Sequence, residues 1–257
     1  MERSSDVVTV EEPLQIRLIH GPAGERVETN VAVTMRTPGD DRALALGFLL
    51  SEGVIDDPAM VESVEAGENI VAVSVSPQAT FEPEMLERHT YTASSCGICG
   101  KASIEAVRVP IPDRAGKDGF TVSADVLGRL PAALREHQAA FRQTGGIHAS
   151  ATFDAAGDIE RVAEDVGRHN ALDKLIGSYL ADGSLPLLAY GLLFSGRASF
   201  ELVQKAAVAG CPFVAAIGPP SSLAVELAAE QRVTLVGFLR EDRFNVYTLP
   251  HRVRTSG

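Results

Sequence analysis

Residues 187–238 read LLAYGLLFSGRASFELVQKAAVAGCPFVAAIGPPSSLAVELAAEQRVTLVGF. Three short apolar runs, 187–194, 212–217 and 233–238, alternate with two helical segments, 198–209 and 221–231. That alternation predicts parallel strands joined by right-handed helical crossovers. Ligands of such sheets lie beyond the carboxyl ends of the strands. The loops that matter are therefore Ser195-Gly196-Arg197, Gly218-Pro219-Pro220-Ser221 and residues 239–243.

Upstream, 122–142 reads as a helix broken near Pro131. Residues 148–153 and 158–165 read as two strands joined by Ala155-Ala156-Gly157. From near Gly167 the pairs Ala171/Leu172, Leu175/Ile176 and Tyr179/Leu180 recur every four residues, one apolar face of a helix. With the extended 244–249, residues 120–257 have the order α-β-β-α-β-α-β-α-β. Residues 1–112 read as a smaller α+β region. Leu14, Ile16 and Leu18 alternate with polar residues as in a half-buried strand, and 27–34 reads as a second strand. DRALALGFLLSEG, 41–53, is a helix ending at Gly53, and 61–66 with 70–76 form a hairpin. The region closes with a cysteine loop, 94–101. Residues 113–119 (DRAGKDG) read as a linker between the two, and no internal repeat or low-complexity tract is present.

The chain has 257 residues, 45% of them apolar, enough to bury a core in one large domain or two modest ones. No basic stretch followed by an apolar run opens the chain, and no apolar segment approaches a bilayer span, so a soluble cytoplasmic protein is expected. The net charge of −11 argues against a general nucleic-acid binder, although a local basic pocket stays compatible with it. Three cysteines, one close pair and one apart, do not form a disulfide framework.

The pair lies in SSCGICGK, where Cys96 and Cys99 are flanked by Gly97 and Gly100 and followed by Lys101. A Cys-x-x-Cys pair beside a lysine lowers the pKa of a thiol. Zinc binding needs two further ligands at matching spacing, and none is evident. A thioredoxin-like redox pair, persulfide transfer and a purely structural pair all remain open on the residues alone. Cys211, in AVAGCPFVAA, has the apolar setting of a core residue.

Arg197, Arg240 and Arg243 fall in the loops at the strand ends, and Arg168 and His169 at the start of the helix after Asp165. Residues 238–257 hold four arginines and two acids, a local balance of +2 in an acidic protein. Guanidinium forks near helix N-termini suit a phosphate. Any one of these arginines could equally be a solvated surface charge. His148 and His169 are weaker candidates for ligand contact.

Several segments in order resemble the FdhD family: TPGDDRALALGFLLSEG, SSCGICGK, TGGIHASA, EDVGRHNALDK, SGRASFELVQKA and TLVGFLREDRFNVYT. They cover most of the chain from about residue 12 to 254. The resemblance implies a sulfurtransferase acting as sulfur carrier, needed for formate dehydrogenase activity. It would take persulfide sulfur from a cysteine desulfurase and pass it to the bis-molybdopterin guanine dinucleotide cofactor in its molybdenum or tungsten form. The family's cysteine motif falls on Cys96, the implied carrier, and Cys99. Its cofactor-binding segment falls on Phe238, Leu239, Arg240, Glu241, Asp242 and Arg243, with Arg197 and Arg168 as further contacts to the guanine nucleotide end. No intrinsic metal, nucleic acid or membrane partner is implied, and a homodimer is compatible with this reading.

By element order, residues 120–257 also resemble the cytidine-deaminase-like fold, a three-layer domain. Zinc deaminases carry H-x-E and P-C-x-x-C at two helix starts. The matching positions here read Gly167-Arg168-His169-Asn170 and Ser195-Gly196-Arg197-Ala198, without thiolates or the catalytic glutamate. A nucleotide hydrolase or deaminase is disfavoured on that ground. A cofactor-binding chaperone without sulfur transfer is the remaining alternative.

Overall fold

The computed structural model describes residues 6–79, 108–112 and 119–255. Cys96 and Cys99, with the whole 94–101 loop, and 113–118 of the linker lie outside the described residues.

Two sheets organise the chain. The first contains β1 (Glu12–His20), β2 (Val27–Arg36), β3 (Val61–Gly67) and β4 (Ile70–Val75), in the order β2-β1-β4-β3. β1 runs antiparallel to β2 and parallel to β4, and β3 and β4 form the hairpin expected from the sequence. Leu14, Ile16, Leu18, Val71, Val73 and Val75 are wholly buried, because period-two alternation sends them to one face. α1 (Asp41–Ser51) has that face as its core and ends before Gly53, whose φ of 74° suits glycine.

The second sheet contains β6 (His148–Phe153), β7 (Ile159–Asp165), β8 (Gly191–Phe194), β9 (Phe213–Ala216), β10 (Thr234–Gly237) and β11 (Asn245–Val246). Their order is β11-β10-β9-β8-β6-β7. β8, β9 and β10 are parallel, as the alternation of runs predicts, and β6 pairs antiparallel with β8. The helices α4 (Arg168–Ala181), α5 (Phe200–Val208) and α6 (Ser222–Glu230) share one core with one face of this sheet and with the first sheet. The other face, including Ala149, Ala151, Phe153, Phe213 and Val236, packs on α2 (Ala124–His137). The chain is thus a mixed α/β protein. A short parallel pair, β5 (Val122–Ser123) with β12 (Val253–Arg254), brings the start of α2 to the C-terminus.

Three expectations need correction. The helix over 122–142 does not break at Pro131. α2 continues through it, because Leu127, Leu130 and Leu134 are wholly buried on one side. Burying three leucines at roughly 1.5–3 kcal/mol each exceeds the ~3 kcal/mol cost of an internal proline. The break falls at Gln138 (φ −82°, ψ 82°), before α3 (Ala139–Thr144). There the Glu164 carboxylate accepts N–H bonds from Ala140 and Phe141 at 2.8 and 2.9 Å, satisfying the new helix start. Second, the strand expected from 187 begins only at Gly191, since residues 188–189 form a turn. Third, α4 is buried nearly all round rather than on one face. It is covered on one side by its own sheet and on another by α1.

The α1–α4 contact is a backbone-to-backbone crossing. A Cβ on Gly177 would lie 1.8 Å from the Ala43 carbonyl oxygen, and one on Gly47 1.9 Å from that of Asp173. Gly177→Ala should therefore lower stability by at least about 1–3 kcal/mol, read as a lower denaturant midpoint. Gly119→Ala, where a Cβ meets nothing within 4 Å, should change little. Equal midpoints for Gly177→Ala and wild type would contradict the close crossing.

Candidate functional site at the carboxyl edge of the second sheet

The three loops singled out in the sequence are bonded into one surface. Gly218 N–H donates to the Gly196 carbonyl at 2.8 Å, and Ser221 N–H to Ala198 at 3.0 Å. Phe238 N–H donates to Gly218 at 3.1 Å, and Leu239 N–H to Ala216 at 3.1 Å. The approach needs glycine at 218, where a Cβ would come within 2.9 Å of the Arg197 backbone. The N-termini of α5 and α6 open onto the same edge, as crossover connections require. Ser221 caps α6 by accepting from Ala224 N–H at 3.2 Å.

The arginines sit unequally. Arg197 and Arg243 are exposed, and among the described residues neither guanidinium has a carboxylate partner. Arg240 is turned back onto the edge, its Nη1 donating to the carbonyls of Ile217 (2.8 Å) and Leu239 (2.7 Å). Arg168, the first residue of α4, is half-buried, and among the described residues its buried Nε has no hydrogen-bond partner. Phe238 is 43% exposed and holds a left-handed φ of 53°, a costly state for an aromatic residue and one that often marks a functional site. Leu239 is wholly buried, so its side chain belongs to the core. Glu241 and Asp242 are exposed, and the Glu241 carbonyl packs on Gly128 of α2, where a Cβ would come within 2.5 Å.

The segment EDVGRHNALDK divides by direction. Asp165, wholly buried, accepts from Gly167 N–H (2.9 Å), Thr37 N–H (3.1 Å), Asn170 Nδ2 (3.2 Å) and Lys174 Nζ (2.8 Å). Asn170 also donates to the Met35 carbonyl and Lys174 to that of Thr37. These groups fix the start of α4 to the end of β2. His169 instead meets Glu201 of α5, Nε2 to Oε2 2.9 Å, both largely buried, with Ser199 Oγ at 3.4 Å. The sequence reading missed Glu201; its only signal is an acid in the first turn of a helix. Sequence reasoning also missed the pair Lys205–Asp173, whose Nζ donates to both carboxylate oxygens at 2.9 Å beneath Ser51 and Glu52. Burial pulls the Lys205 pKa down, but Asp173 and Glu52 more than offset it, so the ammonium stays charged.

His148, at the start of β6, is pushed below the usual imidazole range by burial, and then by the charges of Arg168 and His169. Cys211 is wholly buried, its thiol close to the carbonyls of Phe213 and Tyr190, and burial pushes its pKa up to about 12. That is the inert state expected of a core thiol. Among the described residues no group of three or more His, Cys, Asp or Glu is placed to hold a metal ion. None of the described helices is long and apolar enough to cross a membrane. The edge therefore offers guanidinium groups and helix N-termini, which suit an anionic ligand.

Residues 9–254 match the FdhD/NarQ family. The chain is 48% identical to the sulfur carrier protein FdhD of Streptomyces avermitilis, covering 96% of this chain and 89% of that one. It is 49% identical to the protein of that name from Mycolicibacterium paratuberculosis (96% and 92%) and 42% identical to that from Picrophilus torridus (97% and 92%). A crystal structure from Desulfotalea psychrophila, provisionally assigned as a formate dehydrogenase accessory protein, superposes with a TM-score of 0.70. It is 25% identical and covers 97% of this chain and 91% of that one.

The charge pattern around His148 is open to direct test. A proton NMR titration should place its pKa below the ordinary ~6.5. The folded value is depressed, so the stability His148 contributes is present above its unfolded pKa and lost as pH falls through the folded one. Arg168→Gln should raise the value, since it removes the guanidinium charge that lowers it. A His148 pKa at or above the ordinary one, unmoved by Arg168→Gln, would contradict this electrostatic picture.

Proposed function

The chain belongs to the FdhD/NarQ family, and from that premise we propose that it is a sulfur carrier that activates formate dehydrogenase by sulfurating its cofactor. The observation that carries the reading is the match over nearly the whole chain to relatives bearing the sulfur-carrier name. In this reading the Cys96 thiolate attacks the outer sulfur of a persulfide on a cysteine desulfurase. The desulfurase thiolate leaves, and Cys96 holds the persulfide. Cys99 assists by receiving it or by tuning its pKa. The acceptor is bis-molybdopterin guanine dinucleotide, carrying molybdenum or tungsten, which is substrate here and not a resident cofactor.

The carboxyl edge supports the second half of the reading. Arg197 and Arg243, exposed and without carboxylate partners among the described residues, are suited to the pyrophosphate. Arg168 stands at the start of α4, and the exposed ring of Phe238 offers a face to a base. The sheet order β7-β6-β8-β9-β10, with β6 antiparallel to β8, supports reading residues 120–257 as a cytidine-deaminase-like domain. Residues 1–112 are then the smaller unit that supplies the cysteine loop. At the start of α4 and in the loop just before α5, where deaminases bind zinc, this chain carries Arg168 and Arg197, which fit an anion in place of a metal.

Two experiments test the proposal. In cells lacking the native carrier, Cys96→Ser should leave formate dehydrogenase inactive, because serine cannot form a persulfide; restored activity would remove Cys96 from the role. In calorimetry, guanosine diphosphate should bind the full chain, and Arg243→Ala should weaken it by about 1.5–3 kcal/mol, the range of a charge-assisted hydrogen bond. Arg42→Ala, at the exposed start of α1, should not. Equal affinity in wild type and an Arg240/Arg243 double variant would remove the nucleotide from this edge.

A further inference from the structure

The short helix α3 differs from its neighbours in how it is held. None of its six residues is buried, whereas α2, just before it, buries Leu127, Leu130 and Leu134 completely. Yet α3 is part of a wall. Phe141, with Gly145, Gly146 and Ile147 just beyond the helix, lines a cavity of about 390 Å³ that also touches Ser195 and Ile217 at the carboxyl edge. A wall element with no buried side chain is held chiefly by polar contacts, and such segments open locally far below the free energy of global unfolding.

Those contacts lie at its two ends. At the start, the Glu164 carboxylate accepts from Ala140 and Phe141 N–H, and the Arg142 guanidinium reaches back to the carbonyls of Arg135 and Glu136 in α2. At the end, Thr144 Oγ1 donates to the Ala140 carbonyl of its own helix (2.9 Å) and accepts from Thr9 Oγ1 (2.8 Å). Thr9 lies in the segment that leads into β1 of the first sheet. Among the described residues, this is the one hydrogen bond from residues 6–10 to the rest of the chain. Val7, Val8 and Val10 beside it are 57, 78 and 57% exposed, so apolar burial adds little. The segment is a strap with a single fastening. Both ends of α3 are also able to turn. Gln138 before it has non-helical dihedrals, Gly145 after it has a φ of 65°, and a Cβ on Gly146 would meet nothing closer than 3.8 Å.

We propose that α3 is a lid on this cavity, hinged at Gln138 and at Gly145–Gly146, and that the N-terminal strap latches it through the Thr9–Thr144 bond. Latched, the lid keeps Phe141 in the wall. With the bond broken, α3 turns about its two ends and carries Phe141 out of the wall. The inference rests on the reading of the carboxyl edge as the surface for the nucleotide end of the ligand, and adds the control of entry and exit. A latch changes the rates of entry and exit together. A residue that touches the ligand changes chiefly the rate of exit.

Two measurements on the full chain test the lid, and the first needs no ligand. In backbone hydrogen exchange, the α3 amides should exchange faster than those of α2. Thr9→Val, which keeps the shape and loses the hydroxyl, should speed the α3 amides about five-fold, the factor set by one hydrogen bond, and leave α2 unchanged. The second is stopped-flow binding of a fluorescent guanosine diphosphate. Thr9→Val and Thr144→Val should each raise the association and dissociation rate constants together, with Kd nearly constant. Protection of α3 equal to that of α2, or equal α3 exchange in Thr9→Val and wild type, would overturn the lid. So would unchanged binding rates in both variants, or a rise in dissociation alone. If the nucleotide does not bind the wild type, the ligand reading of the edge fails and exchange decides the latch by itself: α3 loosened by Thr9→Val supports it, and unchanged exchange removes it.

Discussion

The crossing of α1 over α4 is the constraint on which the rest depends. Gly47 and Gly177 let the two backbones touch, with no room for a single Cβ on either side. That closeness joins the first sheet to the second through one continuous core. It also sets Ser51 and Glu52 of α1 beside Asp173 of α4 and Lys205 of α5, so that the buried Lys205–Asp173 pair gains a hydroxyl donor and a second carboxylate. An ion pair at that depth is costly if any member is lost, and it tolerates one geometry far better than others. Three helices are thereby locked in register, and two of them begin at the candidate site.

The polar residues at the start of α4 continue the same logic. Asp165, Asn170 and Lys174 spend their hydrogen bonds on the end of β2 and on the loop at Thr37. Arg168, between them in sequence, is left to the edge, while His169 turns to Glu201 of α5. A short segment thus carries two jobs because a helix start turns successive residues to different sides. The inward set builds a rigid floor, and the outward set inherits its position from that floor.

Much of this was legible in the sequence, and what was not has a physical reason. Alternating apolar runs mark β8, β9 and β10 as parallel strands, and so point to the loops at 195–197, 218–221 and 239–243. The alternation of Leu14, Ile16 and Leu18 gave β1. Local rules failed where distant residues decide. Pro131 suggests a break, but three leucines packed on the second sheet keep α2 continuous, and Glu164 places the break at Gln138. The pairing of His169 with Glu201, and of Asp173 with Lys205, joins residues more than 30 positions apart with no periodicity to announce it.

In the proposed function, sulfur chemistry belongs to the cysteine loop and ligand recognition to the sheet edge, so the two can be separated. Its central claim is that sulfur is held covalently on Cys96. The most direct measurement is the intact mass of the protein after incubation with a cysteine desulfurase and cysteine. The account predicts a gain of one sulfur atom per chain, reversed by a thiol reductant, retained in Arg243→Ala and absent in Cys96→Ser. An unchanged mass in the wild type, or the same gain in Cys96→Ser, would contradict it.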